Sequence, residues 1–170
     1  FTEPGDAVLI QQPVYYPFRE VIEDNGRKFV NSQLHYENGK YTIDFADFEQ
    51  KIEDNNVKVF LLCSPHNPAG RVWTKEELTR MGDICLKHDV IIMDDEIHCD
   101  FVYAPHHFTS FLTLDEKYRK NLVLYNSPSK TFNVAGLQPA NIIIPDEELR
   151  KRYRKANAAA GYSQGSIMGQ

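Results

Sequence analysis
The sequence predicts an α/β fold, a mostly parallel sheet between two helical layers, and three observations lead to it. Short apolar runs alternate along the 170 residues with segments whose apolar positions recur at helical spacing. Three of these runs, at 57–62, 90–93 and 121–125, lead directly into polar motifs. No internal repeat or low-complexity stretch breaks the alternation.

A turn at Pro4-Gly5 leads into a strand at 7–10, Ala-Val-Leu-Ile. Residues 18–24 read as a helix that Asn25-Gly26 stops. A strand restarts at 28–30, residues 41–43 form another short extended piece, and 45–52 carry apolar residues at helical spacing. After the strand at 57–62, Thr74-Lys-Glu-Glu77 is a capping box: the Thr74 hydroxyl and the Glu77 carboxylate each satisfy an orphan amide at a helix start. That helix runs through Leu78, Met81 and Cys85 to about His88. Strands follow at 90–93, 121–125 and 141–144, and Pro145-Asp146 opens a basic-faced helix through Arg154. From Gly161 to Gln170 no stop signal for this helix is evident.

In an open parallel sheet the strand C-termini share one edge, so motifs at three strand ends converge on one crevice however far apart they lie in sequence. The motifs are Cys63-Ser-Pro-His-Asn67-Pro-Ala-Gly70, Asp94-Asp95-Glu96-Ile97-His98-Cys99-Asp100 and Ser127-Pro-Ser129-Lys130-Thr-Phe-Asn133. A lysine in a strand-end turn can form a Schiff base with an aldehyde, with Ser127 and Ser129 beside it to meet a phosphate. Taken singly, Lys130 reads first as a solvated surface charge and the acidic residues of 94–100 as a solvated turn; it is their convergence that favours a cofactor site. Asn67-Pro-Ala-Gly70 reads as a turn that aims the Asn67 side chain. Tyr15 and Tyr16 follow the first strand and precede Pro17, so one ring can face inward over a flat ligand and the other toward a substrate.

In their order, Asn67-Pro-x-Gly70, Asp95-x-x-His98 and Ser127-x-Ser-Lys130 resemble the motifs of the fold-type I pyridoxal phosphate (PLP) enzymes, the aminotransferase class I/II superfamily. Pro13-Val-Tyr15-Tyr16-Pro-Phe18, Asp95-Glu-Ile-His98 and Ser129-Lys-Thr-Phe-Asn133 are similar to those of its MalY/PatB-type cystathionine β-lyase branch. The resemblance implies PLP as cofactor. Lys130 then carries it and serves as general base, Asp95 faces the pyridine nitrogen, and Asn67 and His98 face the phenolic oxygen. Tyr15 stacks on the ring, Tyr16 sits near the substrate, and Ser127 and Ser129 meet the phosphate. Asp95 is preferred to Asp94 because neighbouring strand residues face opposite sides. His98 stands where many aminotransferases of the superfamily carry tyrosine. Gln138 stands where many carry an arginine that grips the phosphate.

The implied reaction is β-elimination from cystathionine or a cysteine conjugate, giving thiol, pyruvate and ammonia. The alternatives are a class I/II aminotransferase and a non-catalytic, regulatory PLP-binding domain. The resemblance further implies a three-layer α/β/α large domain of which residues 1–170 are the core, truncated at both ends: an N-terminal segment and a C-terminal small domain are absent. The arginine that holds the substrate carboxylate would lie beyond Gln170, the full-length protein is expected to be a homodimer, and the isolated piece is expected to be inactive.

Net charge is −5, from 19 basic and 24 acidic residues without a basic cluster, which argues against nucleic acid or an anionic membrane as partner and leaves a small amino-acid substrate. No apolar run approaches the roughly 20 residues that cross a bilayer. Cys63, Cys85 and Cys99 are odd in number and not closely paired, which suits reduced thiols in a cytoplasm. His98, Cys99 and Asp100 with His106 and His107 match no zinc spacing, so no metal is expected. His35, His66, His88, His106 and His107 are read as surface or packing residues.

Overall fold
In a computed structural model that describes residues 1–162, the apolar runs become strands and the amphipathic segments become helices. The order is β1 (Ala7–Ile10), α1 (Pro17–Asp24), β2 (Lys28–Asn31), β3 (His35–Glu37), β4 (Lys40–Thr42), α2 (Phe45–Asn55), β5 (Val59–Cys63), α3 (Lys75–Lys87), β6 (Ile91–Asp95), β7 (Leu122–Asn126), β8 (Asn141–Ile143) and α4 (Glu147–Ala159). Short 3-10 segments lie at Phe111–Thr113, Glu116–Asn121 and Ala135–Leu137. Six strands form one sheet in the order β2-β1-β5-β6-β7-β8, parallel throughout except that β8 runs antiparallel to β7.

Alternation along the strands builds two cores. On one face Leu9, Phe60, Leu62, Ile92 and Leu122 pack with Phe48 and Ile52 of α2 and Leu78, Met81 and Cys85 of α3. On the other, Val8, Ile10, Val59 and Cys63 meet Phe18 and Ile22 of α1, while Val123 meets Leu149 of α4. The result is the expected three-layer α/β/α arrangement. No helix among the described residues is long and apolar enough to cross a membrane.

Thr74 caps α3 as expected: its hydroxyl accepts from the Glu77 amide at 3.2 Å, and the Glu77 carboxylate accepts from the Thr74 amide at 2.8 Å. Gly82 lets this helix lie close on its neighbours, since a Cβ there would stand 2.8 Å from Tyr118 Cε1 and 3.1 Å from Phe111 Cζ.

Three readings are corrected. The strand β3 was not expected; it pairs with β4 in a separate hairpin whose turn uses Asn38 (φ 50°) and Gly39 (φ 78°), an Asn-Gly signal for a left-handed two-residue turn. The helix α4 does stop, at Ala159, with Gly161 at φ +80° supplying the left-handed residue that ends it. The rest of the tail considered with it, 163–170, lies outside the described residues. Finally, β5, β6 and β7 each end one or two residues later than the apolar runs, at Cys63, Asp95 and Asn126.

Candidate cofactor site
Because β5, β6 and β7 are adjacent and parallel, the three polar motifs do meet at one edge of the sheet. A cavity of about 110 Å3 there is lined by Cys63 at the end of β5 and Asn67 beyond it, Asp95 at the end of β6 with Ile97 and His98 beyond it, Lys130 after β7 and Tyr15 after β1. Two cavities adjoin it. One of about 260 Å3 shares Asn67 and His98, and one of about 330 Å3 shares Asp95 and Ile97 and reaches Ser127.

Asn67 is aimed by its turn. Its amide donates to Cys63 Sγ at 3.3 Å, the Cys63 thiol donates to the Pro65 carbonyl at 3.3 Å, and Gly70, at φ +65°, closes the loop with its amide on the His66 carbonyl at 2.8 Å. Burial pushes the Cys63 thiol up to about 12, so it stays a neutral donor. The indole of Trp73 donates to the Cys63 carbonyl at 3.0 Å and anchors the strand end from the core side. His66 proves to be a buried packing residue: its ring stands edge-on to Trp73 and bonds the Pro13 carbonyl at 2.8 Å, and burial lowers its pKa.

Asp95 is half-buried, and one of its oxygens accepts from the Ile97 amide at 3.1 Å. Burial raises its pKa, against the lowering effects of that amide and of His98. Asp94 lies on the opposite face, as the strand period requires, but it and Glu96 are buried rather than part of a solvated turn. The His98 ring lies 6.2 Å from that of Phe101 and edge-on to it, a contact the sequence had not suggested.

The other expected site residues are placed unequally. Tyr15 is 43% exposed and lines the cavity, with its ring against Phe18 and Tyr16; Tyr16 is 71% exposed and lines none of the three cavities. Ser127 and Ser129 are buried, and the Ser127 hydroxyl donates to the Pro139 carbonyl at 2.6 Å and accepts from the Ser129 amide at 3.0 Å. All three cysteines are free thiols. Glu49, Glu53 and His88 lie close enough to share an ion, far from this edge, but Lys87 and His88 already bond Glu49 at 2.7 and 3.1 Å.

Residues 1–169 match the family model for aminotransferase class I and II. The chain is 46% identical to cystathionine β-lyase PatB of Bacillus subtilis over 90% of its own length and 40% of that protein, and 34% identical to protein MalY of Escherichia coli over 99% and 43%. Among solved structures it is similar to cystalysin from Treponema denticola, which contains a pyridoxal 5′-phosphate cofactor, with a TM-score of 0.95 and 43% identity over 99% of this chain and 43% of that one. The chain thus spans about two fifths of the length of the relatives it matches. With nearly every residue inside the family model, this chain belongs to the class I and II aminotransferase family of PLP-dependent enzymes.

Proposed function
We propose that the protein is a PLP-dependent carbon–sulfur β-lyase that cleaves cystathionine or a related cysteine conjugate to thiol, pyruvate and ammonia. In this reading residues 1–170 are the core of its PLP-binding large domain, and the protein works as a cytoplasmic homodimer on a small amino-acid substrate. One observation carries the cofactor part of this reading: an amine, a half-buried carboxylate, an amide, an imidazole and a tyrosine ring line a single cavity at adjacent strand ends. That donor set fits PLP group by group, with Lys130 for the aldehyde, Asp95 for the pyridine nitrogen, Asn67 and His98 for the phenolic oxygen and Tyr15 for the ring face.

Bound PLP supplies an electron sink for the pair left at Cα when a bond there breaks. Asp95, desolvated in its cavity, would be stabilised by a cationic N–H and so would hold the ring nitrogen protonated. Asn67 donates its side-chain amide from a turn whose backbone is already fixed. The Lys130 amine would take the Cα proton as general base. Tyr16, exposed beside Tyr15, sits at the substrate's approach. At the phosphate, Ser127 can turn its hydroxyl from the Pro139 carbonyl, and Ser129 contributes beside it; Gln138 leaves this end without the arginine of many relatives.

The second reading, an aminotransferase, shares the Cα proton transfer and is favoured by the family at large. The similarity to PatB and the histidine at position 98 favour the lyase. Full-length protein given L-cystathionine and no 2-oxo acid should release pyruvate over many turnovers. A single turnover that resumes only when a 2-oxo acid is added would establish the aminotransferase instead.

A further inference from the structure
On the far side of β6 from the cavity, two carboxyl groups are buried against each other. Asp94 is wholly inaccessible, and neither of its oxygens has a hydrogen-bond donor among the described residues. The polar side chain it meets is that of Glu96, itself 3% exposed. Glu96 is well served, since one oxygen accepts from the Ser110 hydroxyl and the other from the Phe111 amide, both at 3.0 Å. Across the sheet Asp94 is flanked by Leu62 on β5 and Leu124 on β7. Among the described residues, the further charged group acting on both carboxyls is Asp95, also acidic, and no cation is among those that act on either.

Two ionised carboxylates cannot share such a place, because each loses hydration and meets a like charge, and Asp94 has no donor to offset either loss. One proton resolves both difficulties. It neutralises one member and turns a donorless oxygen into the donor of a carboxyl–carboxylate hydrogen bond, among the stronger kinds. The proton belongs on Asp94, because Glu96 already accepts two hydrogen bonds that favour its ionised form.

We propose that Asp94 is a carboxylic acid at neutral pH, bonded through its proton to Glu96, and that this buried pair is a positioning element for Asp95 and His98. Glu96 stands between those two residues, and its bonds to Ser110 and Phe111 fix it to the segment after the turn. The Asp94 proton fixes it also to the strand, so the turn that presents Asp95 and His98 is held from two sides. It also leaves Asp95 as the carboxylate whose charge faces the cavity. Burial raises the pKa of both members, in accord with a retained proton. The stability this proton contributes is full below the ordinary carboxylate pKa of about 4 and is lost as pH rises through the raised folded value.

Infrared spectroscopy of the PLP-loaded full-length protein tests this without reference to which reaction it catalyses. A protonated-carboxyl C=O stretch is expected at neutral pH, and Asp94→Asn, which keeps a neutral donor of the same shape, should remove it. The same variant should flatten the fall in melting temperature as pH rises above the carboxylate range. Asp94→Leu, without a donor, should shift the pH dependence of the bound cofactor's absorbance, and Asp94→Asn should restore it. A wild-type spectrum without that stretch at neutral pH overturns the proposal, whether or not the variants fold, and so does a stretch that survives in Asp94→Asn.

Discussion
The Thr131 hydroxyl donates to an Asp100 carboxylate oxygen at 2.6 Å, joining the turn that carries Lys130 to the turn that carries Asp95 and His98. The two turns arise from different strands, and this bond links them beside the cavity. Both partners are near solvent, so the bond is worth about 1 kcal/mol rather than the larger value of a buried charged one. Thr131→Val should therefore weaken PLP binding roughly fivefold in a cofactor titration, with the melting temperature of the cofactor-free protein little changed.

Lys130→Ala should abolish both covalent attachment of PLP and turnover in the full-length protein. After borohydride reduction and digestion, the phosphopyridoxyl mass should sit on the peptide containing Lys130. Its recovery on Lys75 or Lys120 would move the site elsewhere.

For Asp95→Asn, PLP should stay bound while Cα deprotonation slows by roughly 100-fold, the scale of losing one electrostatic partner of a developing charge. Exchange of the substrate Cα hydrogen in deuterated water reads that step directly. Asp94→Asn should exchange at close to the wild-type rate, and the reverse pattern would show the two carboxylates assigned in the wrong order.

Gly82→Ala sets two magnitudes against each other. Alanine in a helix interior gains about 1 kcal/mol over glycine, but here its Cβ would press on the rings of Tyr118 and Phe111. Overpacking of this kind costs about 1–3 kcal/mol, and both rings are fixed in the core. A lower melting temperature is expected, and a higher one would mean that the rings yield.

The strands of this fold were legible where they were apolar and obscure where they became functional. β5, β6 and β7 run on into Cys63, Asp94-Asp95 and Asn126, and hydrophobicity does not mark a strand end where polar residues continue the strand. β3 escaped because all three of its residues are exposed and carry no alternation; the Asn38-Gly39 turn was the signal available. The convergence of Asn67, Asp95, His98 and Lys130 followed from parallel topology alone, so it could be read before any coordinates. The burial of Asp94 and Glu96 depends on Ser110 and Phe111 returning over them, and the Ser127 bond depends on Pro139. Neither contact leaves a trace in the local pattern.

β1 lies between β2 and β5, and the connections that leave the two inner strands go opposite ways: α1 covers one face of the sheet and α3 the other. The chain therefore parts at the tips of β1 and β5, and a cleft opens from connectivity without any side chain being omitted from the core. Tyr15 and Asn67 stand on its two lips. Inheritance can thus act on such a site and on its scaffold separately: in the proposed reading, an exchange at position 98 or in the Lys130 turn would alter what the cleft does to a substrate, while Leu9, Phe60 and Ile92 beneath it go on packing as before.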